Sequence, residues 1–229
     1  KSQLVDDLDV SGRKVSIVPH GAFTYYGQQE SSPITPSTDT RREVLFFGTL
    51  KPYKGLDVLI RALSILPESL RNEIVLKVAS YPATPPEPYV KLAESLRVAD
   101  SIVWDLRFVP EEEVAPLFLR ASVVVLPYRE IDQSGALMTA LAFRKPVIVT
   151  RVGAFPETIA DGVHGLVVEP DDPPALAAAL IVMLADPARA DAMSIAVGAL
   201  VETDLSWAHI GRQTIQVYRQ VIDGVPSHD

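Results

Sequence analysis

Short apolar runs alternate along this chain with stretches whose apolar positions fall three or four residues apart. Six runs carry a strand pattern: EVLFF (Glu43 to Phe47), EIVLKVA (Glu73 to Ala79), SIVW (Ser101 to Trp104), SVVVLP (Ser122 to Pro127), PVIVT (Pro146 to Thr150) and GLVV (Gly165 to Val168). Their Val, Ile and Leu scarcely alternate with polar residues, as in strands covered on both faces. Between them, Leu56, Leu59, Leu63 and Leu66 make one helical stripe, and Val114, Leu117 and Phe118 make part of another. Alternation of this kind predicts βαβ units, and hence a parallel sheet of about six strands with helices on both faces. One α/β domain over residues 40–186 is the economical reading.

The two ends follow other patterns. Val15 to Gly21 (VSIVPHG) is strand-like and closes in a turn. Thr24 to Arg42 is rich in Ser, Thr, Pro and Gln and reads as a long loop. Residues 1–39 are therefore a leading segment and loop. After GLVVEPDD come three helical stretches, Pro174 to Leu184, Pro187 to Val201 and Ser206 to Ile222. In the last, Trp207, Ile210, Thr214, Val217, Tyr218 and Val221 share a face, and Ser206 suits an N-cap. Residues 187–229 are read as C-terminal helices that pack on this domain or on another one.

Composition narrows the picture. At 229 residues and 48% hydrophobic content the chain can build a sizeable core. No apolar run approaches the ~18–20 residues of a membrane span. The chain opens KSQL without Met, so it reads as a fragment with an upstream segment left open. With no cysteine, thiolate chemistry, disulfides and Cys-ligated zinc are excluded. A net charge of −8 argues against a nucleic-acid binder. It does not exclude a diphosphate ligand, which needs only a few converging cations and amides.

Three segments carry candidate chemistry. In FFGTLKPYKGLDVLIRAL (Phe46 to Leu63) a strand ends at Gly48, a loop brings Lys51 and Lys54, and a helix follows Gly55. Two lysines at the carboxyl edge of a parallel sheet suit a phosphate, although a solvated loop would look the same. Neither a dinucleotide fingerprint nor a P-loop is present. In YREIDQSGALMTALAFRKPVI (Tyr128 to Ile148), Ser134 and Gly135 stand at a helix start, with Glu130, Asp132 and Gln133 just outside. A capped helix with a polar lead-in is the plain alternative. TRVGAFPETIADGVHGLVVEPDD (Thr150 to Asp172) is turn chemistry around Gly153, Asp161 and Gly165. The four histidines show neither metal-ligand spacing nor a nucleophile elbow. Glu111 to Glu113 suit the first turn of a helix.

Taken in order, these segments resemble the donor-binding half of the retaining glycosyltransferases of family 4, the group 1 glycosyltransferases. The resemblance runs from VSIVPHGAF through FGTLKPYKG, VVVLPY, KPVIVTRVGAFPETI and HGLVVEPDD to LSWAHIGRQTIQVYRQVI. It implies a Rossmann-like sheet forming one half of a two-domain GT-B enzyme. It also implies site roles. Lys54 would contact the donor diphosphate during catalysis, helped by the Gly48-Thr49 turn and by Lys51, which stands near the usual arginine. The backbone around Arg107 and Phe108 would face the base. Ser134, Gly135 and Ala136 would offer amides to sugar and diphosphate, and Asp132 and Gln133 would accept from sugar hydroxyls.

The sequence departs from the family's E-x7-E pair. The second glutamate, which would contact the ribose, falls on Thr139, whose hydroxyl could make only a weaker contact. The first, near the donor sugar, falls on Ile131, so Glu130 or Asp132 could take that catalytic place only after a one-residue shift. Arg144 stands where Gly is usual. The expected function is binding of a UDP-, GDP- or ADP-sugar for transfer to an acceptor, with no cofactor, no metal and no nucleic acid. The acceptor-binding N-terminal half would be a separate domain absent from this chain, leaving the fragment inactive alone. The full protein would be cytoplasmic, with peripheral membrane association through that half left open. Two alternatives stand beside this: a non-catalytic scaffold with a degraded donor site, grounded in Thr139 and Arg144, and a GT-B sugar-nucleotide epimerase.

Overall fold

The computed structural model describes residues 11, 15–27 and 39–223. Six strands form one parallel sheet: β1 (Arg42–Thr49), β2 (Ile74–Tyr81), β3 (Ile102–Asp105), β4 (Ala121–Leu126), β5 (Val147–Thr150) and β6 (Gly165–Val168). Their order is β3-β2-β1-β4-β5-β6, with every pairing parallel. The chain steps outward from β1 to β3, returns to β4 beside β1, and then steps the other way. That reversal opens a crevice between the carboxyl ends of β1 and β4, where such sheets bind ligands.

Successive side chains of a strand face opposite sides, and β1 shows why both sides are apolar. Val44 and Phe46 join one core with Leu76, Val78, Val123, Val125 and Ile148. That face is covered by α1 (Leu56–Ile65), α3 (Glu87–Ser95) and α7 (Pro173–Ala185), while α2 (Glu68–Asn72) is a short turn leading into β2. Phe47 faces the other way, edge-on to Phe118 of α4 (Glu111–Arg120) at 4.9 Å, and Phe118 stacks on Phe143 at 5.5 Å. Phe143 ends α5 (Gly135–Ala142), the helix after β4; α6 (Phe155–Thr158) follows β5. Helices thus cover both faces, as the unalternating strands require.

The chain divides into two compact units, the larger spanning Phe23–Gly198 and the smaller built from the two ends of the chain. In the smaller unit, α9 (Trp207–Ile222) begins at Ser206, whose hydroxyl accepts from the His209 amide. The Trp207 indole donates to the Ala22 carbonyl at 2.9 Å. On the expected apolar face Ile210 is buried, whereas Tyr218 and Val221 are exposed. α8 covers Pro187–Glu202.

Two expectations for the leading segment need adjusting. Val15 to Gly21 takes no strand. Pro19 lacks a ladder donor, and the amide just beyond the run, that of Ala22, goes to the Leu205 carbonyl at 3.0 Å instead. Within the expected long loop, Thr24–Gly27 form a 3-10 turn; residues 28–38 of that stretch lie outside the described residues.

Candidate functional site

β1 ends in Gly48, at φ 122°, and Thr49. Leu50 follows, and Lys51, exposed and extended, caps a 3-10 turn over Pro52–Lys54. Gly55 comes next at φ 66°, a region costly for L side chains. A Cβ there would lie 2.0 Å from the Pro127 carbonyl oxygen. Glycine is therefore what lets the lysine turn touch the loop leaving β4.

This packing buries the Lys54 side chain to 9% exposure. Its Nζ lies 5.2 Å from the centre of the Tyr128 ring. On its other side it abuts Gly48, where a Cβ would come within 2.7 Å of the nitrogen. Lys54 makes no side-chain hydrogen bond or ion pair among the described residues. Burial first, and the charge of Lys51 second, lower its pKa from 10.5 to about 8. A buried cation beside an aromatic face, without an acid, is an arrangement that wants an anion.

Tyr128 joins Lys54 to the helix start. Its ring is wedged between Tyr53, edge-on at 5.9 Å, and Phe155 at 5.4 Å. Its hydroxyl is buried and completes no hydrogen bond among the described residues. Burial pushes the phenol pKa up, and the neighbouring Ser134 hydroxyl offsets part of that rise. Ser134, itself buried, caps α5 by accepting from the Leu137 amide at 3.3 Å. The amides of Gly135 and Ala136 find no acceptor among the described residues. Free N–H groups and the positive end of the helix dipole therefore lie just past a side chain that borders the Lys54 platform.

Other expected site residues are arranged around this centre. Glu130, Asp132 and Gln133 are exposed and spend no side-chain atom on another described residue. Their loop is pinned from behind by Gly153 at φ 50°, where a Cβ would fall 1.5 Å from the Ile131 carbonyl oxygen. The Ala154 amide donates to the Asp132 carbonyl at 3.2 Å. Thr139 is buried, and its hydroxyl donates to the Gly135 carbonyl at 2.9 Å. Arg107 and Phe108 follow β3, two strand positions from β1, roughly 10 Å across the sheet. The Arg107 guanidinium is engaged by Asp105 at 2.8 Å and by Glu113, leaving its backbone and the exposed Phe108 ring.

Arg144 does not belong to this site. It lies past the carboxyl end of α5, opposite Ser134, at φ 53°. The Lys145 amide donates to the Ala140 carbonyl at 3.0 Å and the Arg144 amide to that of Leu141 at 2.8 Å, the left-handed helix stop that usually takes glycine. Its side chain lies along Gly198 of α8. The missing glycine is a matter of helix termination.

Arg129 was not singled out by sequence reasoning. Its amide donates to the Tyr53 carbonyl at 2.7 Å. Its guanidinium reaches the Pro52 carbonyl at 2.7 Å, both Asp57 oxygens at 2.9 and 2.7 Å, and Asp171 at 2.6 Å. No cluster of His, Asp or Glu able to hold a metal occurs among the described residues, and none of their helices is long and apolar enough to cross a membrane.

A six-stranded parallel sheet of this order with helices on both faces defines a Rossmann-like α/β domain. A family model for "Glycosyl transferases group 1" matches residues 41–186, and the chain belongs to that family. It is 34% identical over 184 residues to D-inositol 3-phosphate glycosyltransferase of Streptomyces griseus, covering 76% of this chain and 38% of that one. Sucrose-phosphate synthase from Thermosynechococcus elongatus superposes with a TM-score of 0.76 at 23% identity, over 91% of this chain and 53% of that one. Anabaena Alr3699/HepE in complex with UDP superposes with a TM-score of 0.70 at 19% identity, over 79% of this chain and 49% of that one. The fold is that of GT-B glycosyltransferases, and the chain spans about half the length of such proteins or less.

Proposed function

We propose that this chain is the donor-binding half of a retaining, family 4 glycosyltransferase that takes a nucleotide-diphosphate sugar. The observation that carries the reading is Lys54: a buried ammonium with no acidic partner among the described residues, at the sheet's switch point. A diphosphate is the partner such a group lacks. As the bond between sugar C1 and the diphosphate oxygen breaks, the leaving group takes both bonding electrons. Lys54, Lys51 and the Gly135 and Ala136 amides stabilise that charge, the electrostatic part of the catalysis. Glu130, Asp132 and Gln133, unengaged by other described residues, accept hydrogen bonds from sugar hydroxyls. In this reading residues 40–186 bind the donor, residues 187–229 meet the acceptor half, and the acceptor is chosen by that half. UDP in a neighbour of the same fold supports a nucleoside diphosphate as the ligand class.

Calorimetric titration of the chain with UDP-, GDP- and ADP-sugars tests this. One of them should bind, and Lys54→Ala should weaken it at least tenfold while the chain stays folded. Absence of binding by all three overturns the reading in favour of a scaffold that keeps the fold without the ligand.

A further inference from the structure

The reading above needs two loops in fixed register: the Pro52–Lys54 turn with its ammonium, and the loop from Tyr128 to Ser134 with its amides. The two share no sheet hydrogen bond, because both lie beyond the ends of their strands. Arg129 is the side chain that ties them. From inside the second loop it holds the first twice, through its own amide on Tyr53 and its Nη1 on Pro52. It then grips Asp57 in the first turn of α1 with a bidentate pair and Asp171 in the turn after β6 with its Nε. Four chain segments thus meet on one guanidinium.

The chemistry of the group explains why it organises rather than binds. A guanidinium has five N–H donors in a planar fork. Four of the five are engaged here, and two carboxylates answer its single charge. Asp57 is the main reason its proton is held more tightly than usual. A residue so saturated has little left for a phosphate, whereas Lys54, in the turn it holds, makes no side-chain hydrogen bond among the described residues. A lysine in its place could not form the fork.

We propose that Arg129 is a positioning residue for the donor site: it sets the Lys54 ammonium against the Ser134 helix start, and affinity for a diphosphate depends on it. This rests on the donor-binding reading. The test uses the chain with UDP and with inorganic pyrophosphate as probes, titrated calorimetrically across pH 7 to 9.5, well below the unfolding midpoint of each variant. Arg129→Gln should lose at least tenfold in affinity for both probes. Its affinity should also decline at a higher pH than that of the wild type, because a loosened turn re-exposes Lys54. Arg129→Lys should recover only part of the loss. If Arg129→Gln fails to fold, Asp171→Asn, which removes only the arm towards β6, should show the same two changes in smaller measure. Wild-type affinity with an unmoved pH profile in the folded variant overturns the positioning role alone. If the wild type takes up neither probe, the donor reading itself fails and the positioning role falls with it.

Discussion

Consider replacing Lys54 by methionine, which keeps an unbranched chain over Tyr128 and removes the charge. Lys54 is 9% exposed and its pKa falls from 10.5 to about 8, mainly through burial. A gap of about 2.5 pH units at 1.36 kcal/mol each means that the charged form costs the folded state about 3 kcal/mol. The sign follows from proton counting. Below pH 8 both folded and unfolded chains carry the proton, and the folded state bears the whole penalty. Between pH 8 and 10.5 the folded chain releases the proton first, so stability rises. Above 10.5 the penalty is gone. Lys54→Met should therefore raise the urea-unfolding free energy by up to about 3 kcal/mol at pH 7, and the advantage should shrink to near zero by pH 10.5. The same variant should lose UDP and pyrophosphate binding. A variant less stable than wild type at pH 7, or a stability difference indifferent to pH, would rule out a buried charge penalty at Lys54. Under the proposed donor-binding role, that cost is the stability–function conflict expected of binding centres.

Three further outcomes are expected. Arg144→Gly should stabilise the chain by about 0.5–1 kcal/mol in urea titration, since glycine takes the left-handed helix stop without strain, and should leave nucleotide affinity unchanged. Gly153→Ala should cost about 2–3 kcal/mol, because its Cβ would fall 1.5 Å from the Ile131 oxygen; hydrogen exchange should show the 129–134 loop loosened. Thr139→Val, which deletes a hydroxyl already spent on the Gly135 carbonyl, should cost under about 1 kcal/mol; a loss of UDP affinity beyond tenfold would instead give that hydroxyl a direct role on the ribose.

All six strands were legible because two-sided burial leaves β-branched runs unbroken, and their ends fell within two residues of the observed bounds. The same signal misled at Val15 to Gly21, where the apolar run is real but Pro19 lacks a ladder donor and the run forms no strand. The helix Glu87–Ser95 escaped notice because its first turn sits among prolines and half its length is polar. At the site, a strand running into Gly48 and two lysines was a readable sign, since it depends on neighbours in sequence. Arg129 was not readable. Its carboxylate partners lie 72 and 42 residues away, and only the fold brings them together. Arg144 was read only as a departure from a usual glycine; one helix length past Gly135, it marks the end of that helix, so as ground for a degraded site it counts for little.

The contacts at Gly55 and Gly153 join main chain to main chain, carbonyl oxygen against the space a side chain would fill. Whatever side chains positions 130, 132 and 133 carry, the mount that holds them is specified elsewhere, at two glycines and at Arg129. A lineage could exchange one sugar for another by rewriting the loop's exposed positions, with the scaffold beneath indifferent to the change. If the proposed donor site holds, divergence should accordingly be fastest at those exposed positions and slowest at the bare backbone behind them.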